Sequence, residues 1–288
     1  TQFQMLKRLE LTRKIYPALK NFSKKNNITF LSSPSNEENY DYLTKNLKCK
    51  IIKIPSGEIN NYLMLKKISL KKHQIILSTG MSNFKEIANT INFICKKKLY
   101  KVNSNQVKIL NPNLLKFVKK KVFLLHCVTD YPVEDSNANL NAIKTMAEQF
   151  KLIIGYSDHT KGITAPVIAT SFGAKIIEKH LTLNVNDIGP DHKASLNPKE
   201  FKKMVQNIRI FEKMLGNGIK KIEKCEKKNF FIARKSLVSK KAIKKGEKFN
   251  LENLTVKRPG NGVPASKIFQ YIGKKSKFIY KEDEMINE

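Results

Sequence analysis

Between residues 12 and 182 six short apolar runs recur, each too short for a helix and each separated from the next by a longer stretch of mixed polarity. They are ITFLSS (28–33), IIKIPS (51–56), QIILSTG (74–80), VFLLHCV (122–128), KLIIGYS (151–157) and AKIIEKH (174–180). A run that is apolar nearly throughout suits a strand covered on both faces, and strands alternating with helix-like segments build a parallel sheet of βα units. Such folds place their chemistry at the C-terminal ends of the strands. Helices are expected over 36–47, 82–97, 140–150, 164–173 and 196–216, with Ser82 and Thr160 as N-caps and Gly216 as the stop of the last. The stretch 99–120 is longer than an ordinary connection, and its Asn-Pro-Asn and clustered lysines read as a surface insertion.

Eight strands close a barrel of this type, so six imply a (β/α)8 barrel lacking its first two strands, in a sequence that is incomplete at its N-terminus. The periodicity then changes. Residues 217–229 are polar and charged, and from about residue 233 short alternating segments imply a compact β-rich unit. The expected organisation is a barrel domain over 1–216, a linker over 217–232 and a small domain over 233–288.

Bulk properties remove several classes of function. With 41% hydrophobic residues in 288, the chain can bury a sizeable core. No apolar stretch approaches the roughly 20 residues of a membrane span. The N-terminus has no apolar signal-peptide region, so a cytoplasmic location is the expectation. Four widely spaced cysteines without a CxxC pair read as reduced thiols. The net charge of +31 comes from lysines scattered along the chain, and no nucleic-acid recognition module accompanies them. The charge reads as a compositional bias that also attracts anionic substrates, and no nucleic-acid partner is expected.

The predicted strand ends carry the candidate chemistry. Ser32 and Ser33, then Lys53, Ser56, Gly57 and Glu58, then Ser78, Thr79 and Gly80, put hydroxyls, a lysine and glycine-freed backbone N–H groups on consecutive strand ends. Together they suit phosphate and carboxylate groups, although each alone is also an ordinary strand-ending turn. The next pair of strands ends in Ser157-Asp158-His159 and Glu178-Lys179-His180. Two imidazoles from neighbouring strands suit either a divalent metal with open positions or acid–base work. His126 reads equally as a core histidine or a site residue, and His73 as exposed. In the loop 184–198, Gly189-Pro190 forces a turn that projects Asp191 and His192, as expected of a lid over a substrate.

Taken in order, KIPSGEINNY (53–62), ILSTGM (76–81), LLHCVTDYP (124–132), IIGYSDHT (153–160), IIEKHLT (176–182) and GPDHKASLNP (189–198) resemble the sialic acid (N-acetylneuraminate) synthase family. The segment 232–264, with its KRPGNG loop, is similar to that family's antifreeze-like (SAF) domain. The resemblance implies a transferase that condenses phosphoenolpyruvate with N-acetylmannosamine or a related amino-sugar aldehyde to a nine-carbon 2-keto acid plus phosphate. It assigns phosphoenolpyruvate to Lys53, Ser56, Ser78 and Ser157, with Ser33 where a threonine is common. It assigns sugar hydroxyls and the N-acyl group to Glu58, Tyr131 and Asp191, with Lys53, Glu58 and Asp191 as the catalytic set. His159 and His180 would ligate Mn2+, with Mg2+ or Co2+ as alternatives. Arg258 would reach the mouth of a second subunit in a domain-swapped homodimer. Thr129 stands where members preferring N-acetylmannosamine often carry Asn, so legionaminic or pseudaminic acid synthesis is the alternative within the family. A non-catalytic binding remnant is the alternative outside it.

Overall fold

The computed structural model describes residues 1–287, which divide into two compact units, Thr1–Leu215 and Gly216–Glu288. The first begins with helices α1 (Gln2–Leu9), α2 (Ile15–Lys25) and α3 (Glu37–Asp41), the last continuing into a π-turn over Tyr42–Asn46. Strand β1 (Ile51–Ile54), the single turn α4 (Tyr62–Leu65), β2 (Gln74–Ser78) and α5 (Phe84–Cys95) follow. Next come a hairpin of β3 (Tyr100–Asn103) and β4 (Gln106–Ile109), then α6 (Pro112–Val118), β5 (Val122–Cys127) and α7 (Asn141–Phe150). The unit ends with β6 (Ile153–Asp158), α8 (Thr164–Ser171), β7 (Ile177–Lys179) and α9 (Pro198–Leu215).

Strands β1, β2, β5, β6 and β7 pair in that order, all parallel, as a curled open sheet of five. Side chains alternate across it. One set, Ile52, Ile54, Ile75, Leu77, Val122, Leu124, Ile154 and Tyr156, packs with α3, α5 and α7 in a single continuous core. Each fully buried residue there stabilises the unit by ~1.5–3 kcal/mol. The alternate set, including Lys53, Ser78, Cys127, Ser157 and Glu178, faces the other way, into the hollow of the curl. The register confirms the row, for Cys127 pairs with Ser157 and Ser157 with Glu178. Gly155 allows this close pairing, since a Cβ on it would lie 2.5 Å from the Ile176 carbonyl and from the Leu125 side chain.

Three expectations need correction. ITFLSS (28–33) joins no ladder: a strand exists only where an edge accepts its hydrogen bonds, and here Phe30 instead packs edge-on against Tyr16, 6.3 Å between ring centres. The stretch 99–120 is a surface insertion only in part: residues 101–114 are exposed or half-buried, but residues on either side of them enter the core. Leu99, Tyr100, Leu115 and Val118 belong to the core, and Asn-Pro-Asn starts α6, with Asn111 as N-cap and Pro112 at the first helical position. The N-caps also shift. Asn83, not Ser82, closes a capping box with Glu86 on α5, and α8 begins beyond Thr160, whose hydroxyl is held by Asp158. The stop at Gly216 is as expected, with φ at 57° just past α9.

In the second unit the stretch read as a linker carries a two-turn helix, α10 (Lys227–Ala233). Strands β8 (Ser236–Ser239) and β9 (Leu254–Lys257) pair antiparallel, and the short helix α11 (Ile268–Tyr271) follows. Leu237, Ile243, Phe249, Leu254, Tyr280 and Ile286 form its own core. Among the described residues no helix is long and apolar enough to cross a membrane.

Candidate active site

The C-terminal strand ends bring most of the predicted residues to one rim. Lys53, from β1, is buried, with its ammonium 3.3 Å from Glu178 Oε1 on β7. The Ser157 hydroxyl donates to that same oxygen at 2.6 Å. One carboxylate on the last strand of the row therefore holds a lysine from the first strand, β1, and a serine from its own neighbour, β6. At the end of β2, the Ser78 hydroxyl is buried and, among the described residues, has no hydrogen-bond partner. An orphaned buried hydroxyl is costly and waits for a ligand atom.

Gly80 sets the floor beside it. Its N–H donates to Ser56 Oγ at 3.0 Å and lies 3.1 Å from Cys127 Sγ. A Cβ at this position would come 2.3 Å from Thr129 Oγ1 and 2.9 Å from Ser56 Oγ, so only glycine lets these groups converge. Glu58 sits in the 3-10 turn Ser56–Glu58, where its carboxylate accepts from Asn61 Nδ2 at 2.6 Å.

On the far side of the rim His159 and His180 stand edge to face with ring centres 5.4 Å apart. Tyr131 covers both, at 4.2 Å from His159 and 5.5 Å from His180. Burial pushes the His159 pKa down, and its Nδ1–H donates to the Val128 carbonyl at 2.6 Å. That bond selects the tautomer whose Nε2 lone pair is free, the form in which imidazole ligates a metal. Asp191 Oδ2 lies 3.9 Å from His180 Nδ1. Asp191 takes a left-handed backbone, φ 66°, within a loop clasped by Thr182 Oγ1 to His192 Nδ1 at 2.8 Å and by Ser195 Oγ to the Asp191 carbonyl at 2.7 Å. Burial also raises the Tyr131 pKa, so its phenol stays a neutral hydrogen-bonding group.

Among the described residues no cluster of three or more His, Cys, Asp or Glu side chains forms a closed cage for a metal. Two imidazoles with open positions nevertheless suit a divalent ion whose remaining ligands are water and substrate.

Within the first unit, two predicted residues lie away from the rim, Ser32 and Ser33. They line a cavity of about 180 Å³ with Arg13, Tyr16 and Tyr42, which none of the other predicted residues borders. Their segment is not drawn to the rim because it pairs with no strand. Arg258 belongs to the second unit, where it is exposed and its Nε donates to the Ala233 carbonyl at 3.0 Å. Of the other histidines, His126 is a core residue, donating through Nε2 to the Ala138 carbonyl at 2.9 Å and stacked on Tyr156. His73 is half-buried rather than exposed, 3.2 Å from the Tyr40 hydroxyl. Glu178 and Cys127 were assigned no role from sequence. The period of two was the available signal for Glu178, since it faces the same way as His180 two residues later.

The NeuB family model matches residues 1–220 and the SAF domain model residues 234–287. The chain is 46% identical over 288 residues to the N,N'-diacetyllegionaminic acid synthase of Campylobacter jejuni, covering 100% of this chain and 80% of that protein. It is 33% identical over 282 residues to the N-acetylneuraminate-9-phosphate synthase of Mus musculus, covering 97% and 72%. Among solved structures it is similar to the N-acetylneuraminic acid synthetase of Leptospira borgpetersenii in complex with citrate, with a TM-score of 0.64 and 33% identity over 78% of this chain and 72% of that one. The chain belongs to the NeuB family of sialic acid-type synthases and carries a C-terminal SAF domain.

Proposed function

We propose that the chain condenses phosphoenolpyruvate with an N-acylated amino-sugar aldehyde to a nine-carbon 2-keto acid, releasing phosphate. The observation that carries this reading is the convergence of Lys53 and Ser157 on Glu178 beside the unpartnered Ser78 hydroxyl. A cation and several hydroxyl donors gathered at one buried rim are what a small dianionic substrate requires.

Lys53, Ser56, Ser78 and Ser157 bind the phosphate and carboxylate of phosphoenolpyruvate, and Glu178 keeps Lys53 and Ser157 in place until it arrives. Glu58, Tyr131 and Asp191 orient the sugar, with Thr129 beside its N-acyl group. The new bond joins C3 of phosphoenolpyruvate to the aldehyde carbon. Water adds at C2 and phosphate leaves by C–O cleavage. His159 and His180 would hold a divalent ion, Mn2+ by preference, which when bound supplies Lewis-acid polarisation of the aldehyde oxygen. Asp191, close to His180, is positioned to exchange a proton with the sugar oxygen or the attacking water. Orientation within the rim supplies much of the rate enhancement.

The test is phosphate release and product mass with phosphoenolpyruvate, Mn2+ and a panel of aldehydes. Stoichiometric phosphate and a nine-carbon keto acid are expected, and no phosphate release with any aldehyde or metal would overturn the reading. Within the panel, the higher identity to the legionaminic acid synthase favours a 6-deoxy diamino sugar over N-acetylmannosamine. A higher kcat/KM for N-acetylmannosamine would reverse that choice. A cytoplasmic setting suits the four cysteines, all free thiols. A homodimer in which Arg258 serves a second copy belongs to the same reading. Mixed Arg258→Ala and His159→Ala subunits should regain activity that neither has alone, and no recovery would remove the shared site.

A further inference from the structure

Directly behind the two histidines, on the helix-facing side of the sheet, lies an ion pair that the proposed reaction does not use. Lys179 Nζ is 2.7 Å from Asp158 Oδ2, and both side chains are fully buried, at 0% exposure. Asp158 Oδ1 accepts from the Thr160 N–H at 3.0 Å and from its hydroxyl at 2.8 Å. Lys179 Nζ also donates to the Thr160 carbonyl. The pair thus closes on a third residue and ties β6 to β7 at their last register position, Asp158 with Lys179.

A buried ion pair of this kind adds little stability over a well-packed apolar pair, because both charges lose their hydration. What it does supply is a unique arrangement. Asp158 and Thr160 flank His159, and Lys179 precedes His180. Because strand side chains alternate, fixing 158, 160 and 179 on one face fixes 159 and 180 on the other. His159 is secured further by the Val133 N–H, which donates to its carbonyl at 2.9 Å.

We propose that Asp158, Lys179 and Thr160 form a positioning unit that sets the separation and ring orientation of His159 and His180. The proposal rests on the reading of those histidines as a metal pair. Its signature is a loss of ligand geometry without a loss of stability, which a purely structural pair would not show.

The test is the double substitution Asp158→Leu with Lys179→Met, which replaces the pair by apolar groups and leaves no unpaired charge. The full chain should melt at the wild-type temperature or above. Its Mn2+ affinity by titration calorimetry should fall ~10-fold or more, the scale on which groups behind metal ligands act. The His159 Nδ1–H signal in ring-nitrogen NMR should be lost or broadened. Wild-type Mn2+ affinity with an intact His159 signal would overturn the proposal. Should the double variant not fold, Thr160→Val removes only the hydroxyl's bond to Asp158, and a smaller but measurable fall in affinity is expected. Unchanged affinity and signal in Thr160→Val would then overturn it. His159→Ala separates the two readings. If the wild type shows no Mn2+ binding that this substitution abolishes, the metal reading fails, and the NMR signal alone decides: its loss in the variants supports positioning, its persistence sinks it.

Discussion

The two faces of the five-strand sheet are built from the same strands and do opposite work. On the helix side most strand positions are aliphatic and buried, as with Ile54, Leu77, Leu124 and Ile154, with Asp158 and Lys179 paired at the β6–β7 end. On the hollow side, aliphatic Ile76 and Leu125 give way toward the C-terminal ends to Lys53, Ser78, Ser157, Glu178 and the two histidines. One face stabilises the unit by removing apolar surface from water. The other carries groups left partly unsatisfied, which favour a ligand rather than the fold. Stability and binding are thus separated by a single residue step along each strand.

The largest test of that separation is on the stabilising face. Leu124→Ala should lower the unfolding free energy by ~2–5 kcal/mol by leaving a cavity. Activity per folded molecule should persist, and a selective loss of kcat in the folded fraction would break the comparison. The mirror experiment is Lys53→Met, expected to lower kcat/KM by ~10²-fold or more while the melting temperature stays within a few degrees. Ser78→Ala sharpens the contrast further. Among the described residues no hydrogen bond is lost, so stability should hold or rise, whereas the KM for phosphoenolpyruvate should increase ~10-fold, the worth of one hydrogen bond to a charged group. An unchanged KM would mean that the hydroxyl serves neither face.

The smallest effect probes an exception, the titratable His126 within the helix-side layer. Burial lowers its pKa in the folded protein, so the unfolded chain takes up the proton first as pH falls. Its contribution to stability is present above the ordinary histidine value of about 6.5 and is lost as pH falls from there toward the folded value. Chemical denaturation between pH 7.5 and 5 should show this slope, and His126→Asn should flatten it. An unchanged slope in the variant would assign the dependence to other groups.

How much of this was legible beforehand varies by region. Five of the six apolar runs became strands of the parallel sheet, and four of the strand ends delivered their polar residues to one rim. The run 28–33 looks the same in composition, but pairing is a property of two edges, and one segment cannot declare whether a partner is in reach. The reading of 99–120 fell short at its two ends for a related reason. Its lysines were visible, while the burial of Leu99, Tyr100, Leu115 and Val118 depends on α5 and α7 lying over them. Thr160 looked like a helix cap because Ser and Thr serve that role generally, whereas here Asp158 claims its hydroxyl.

The sequence by itself determined the class of fold, the family and the residue types at the strand ends, because strand periodicity and motif order are written along the chain. Tertiary structure alone decided the partnerships: Glu178 between Lys53 and Ser157, Gly80 against Thr129, and Asp158 with Lys179 behind the histidines. These contacts join residues about twenty to more than a hundred positions apart, and which of them meet depends on strand order, register and the curl of the sheet. Local patterns specify which face a side chain takes, and only the assembled sheet specifies what it finds there.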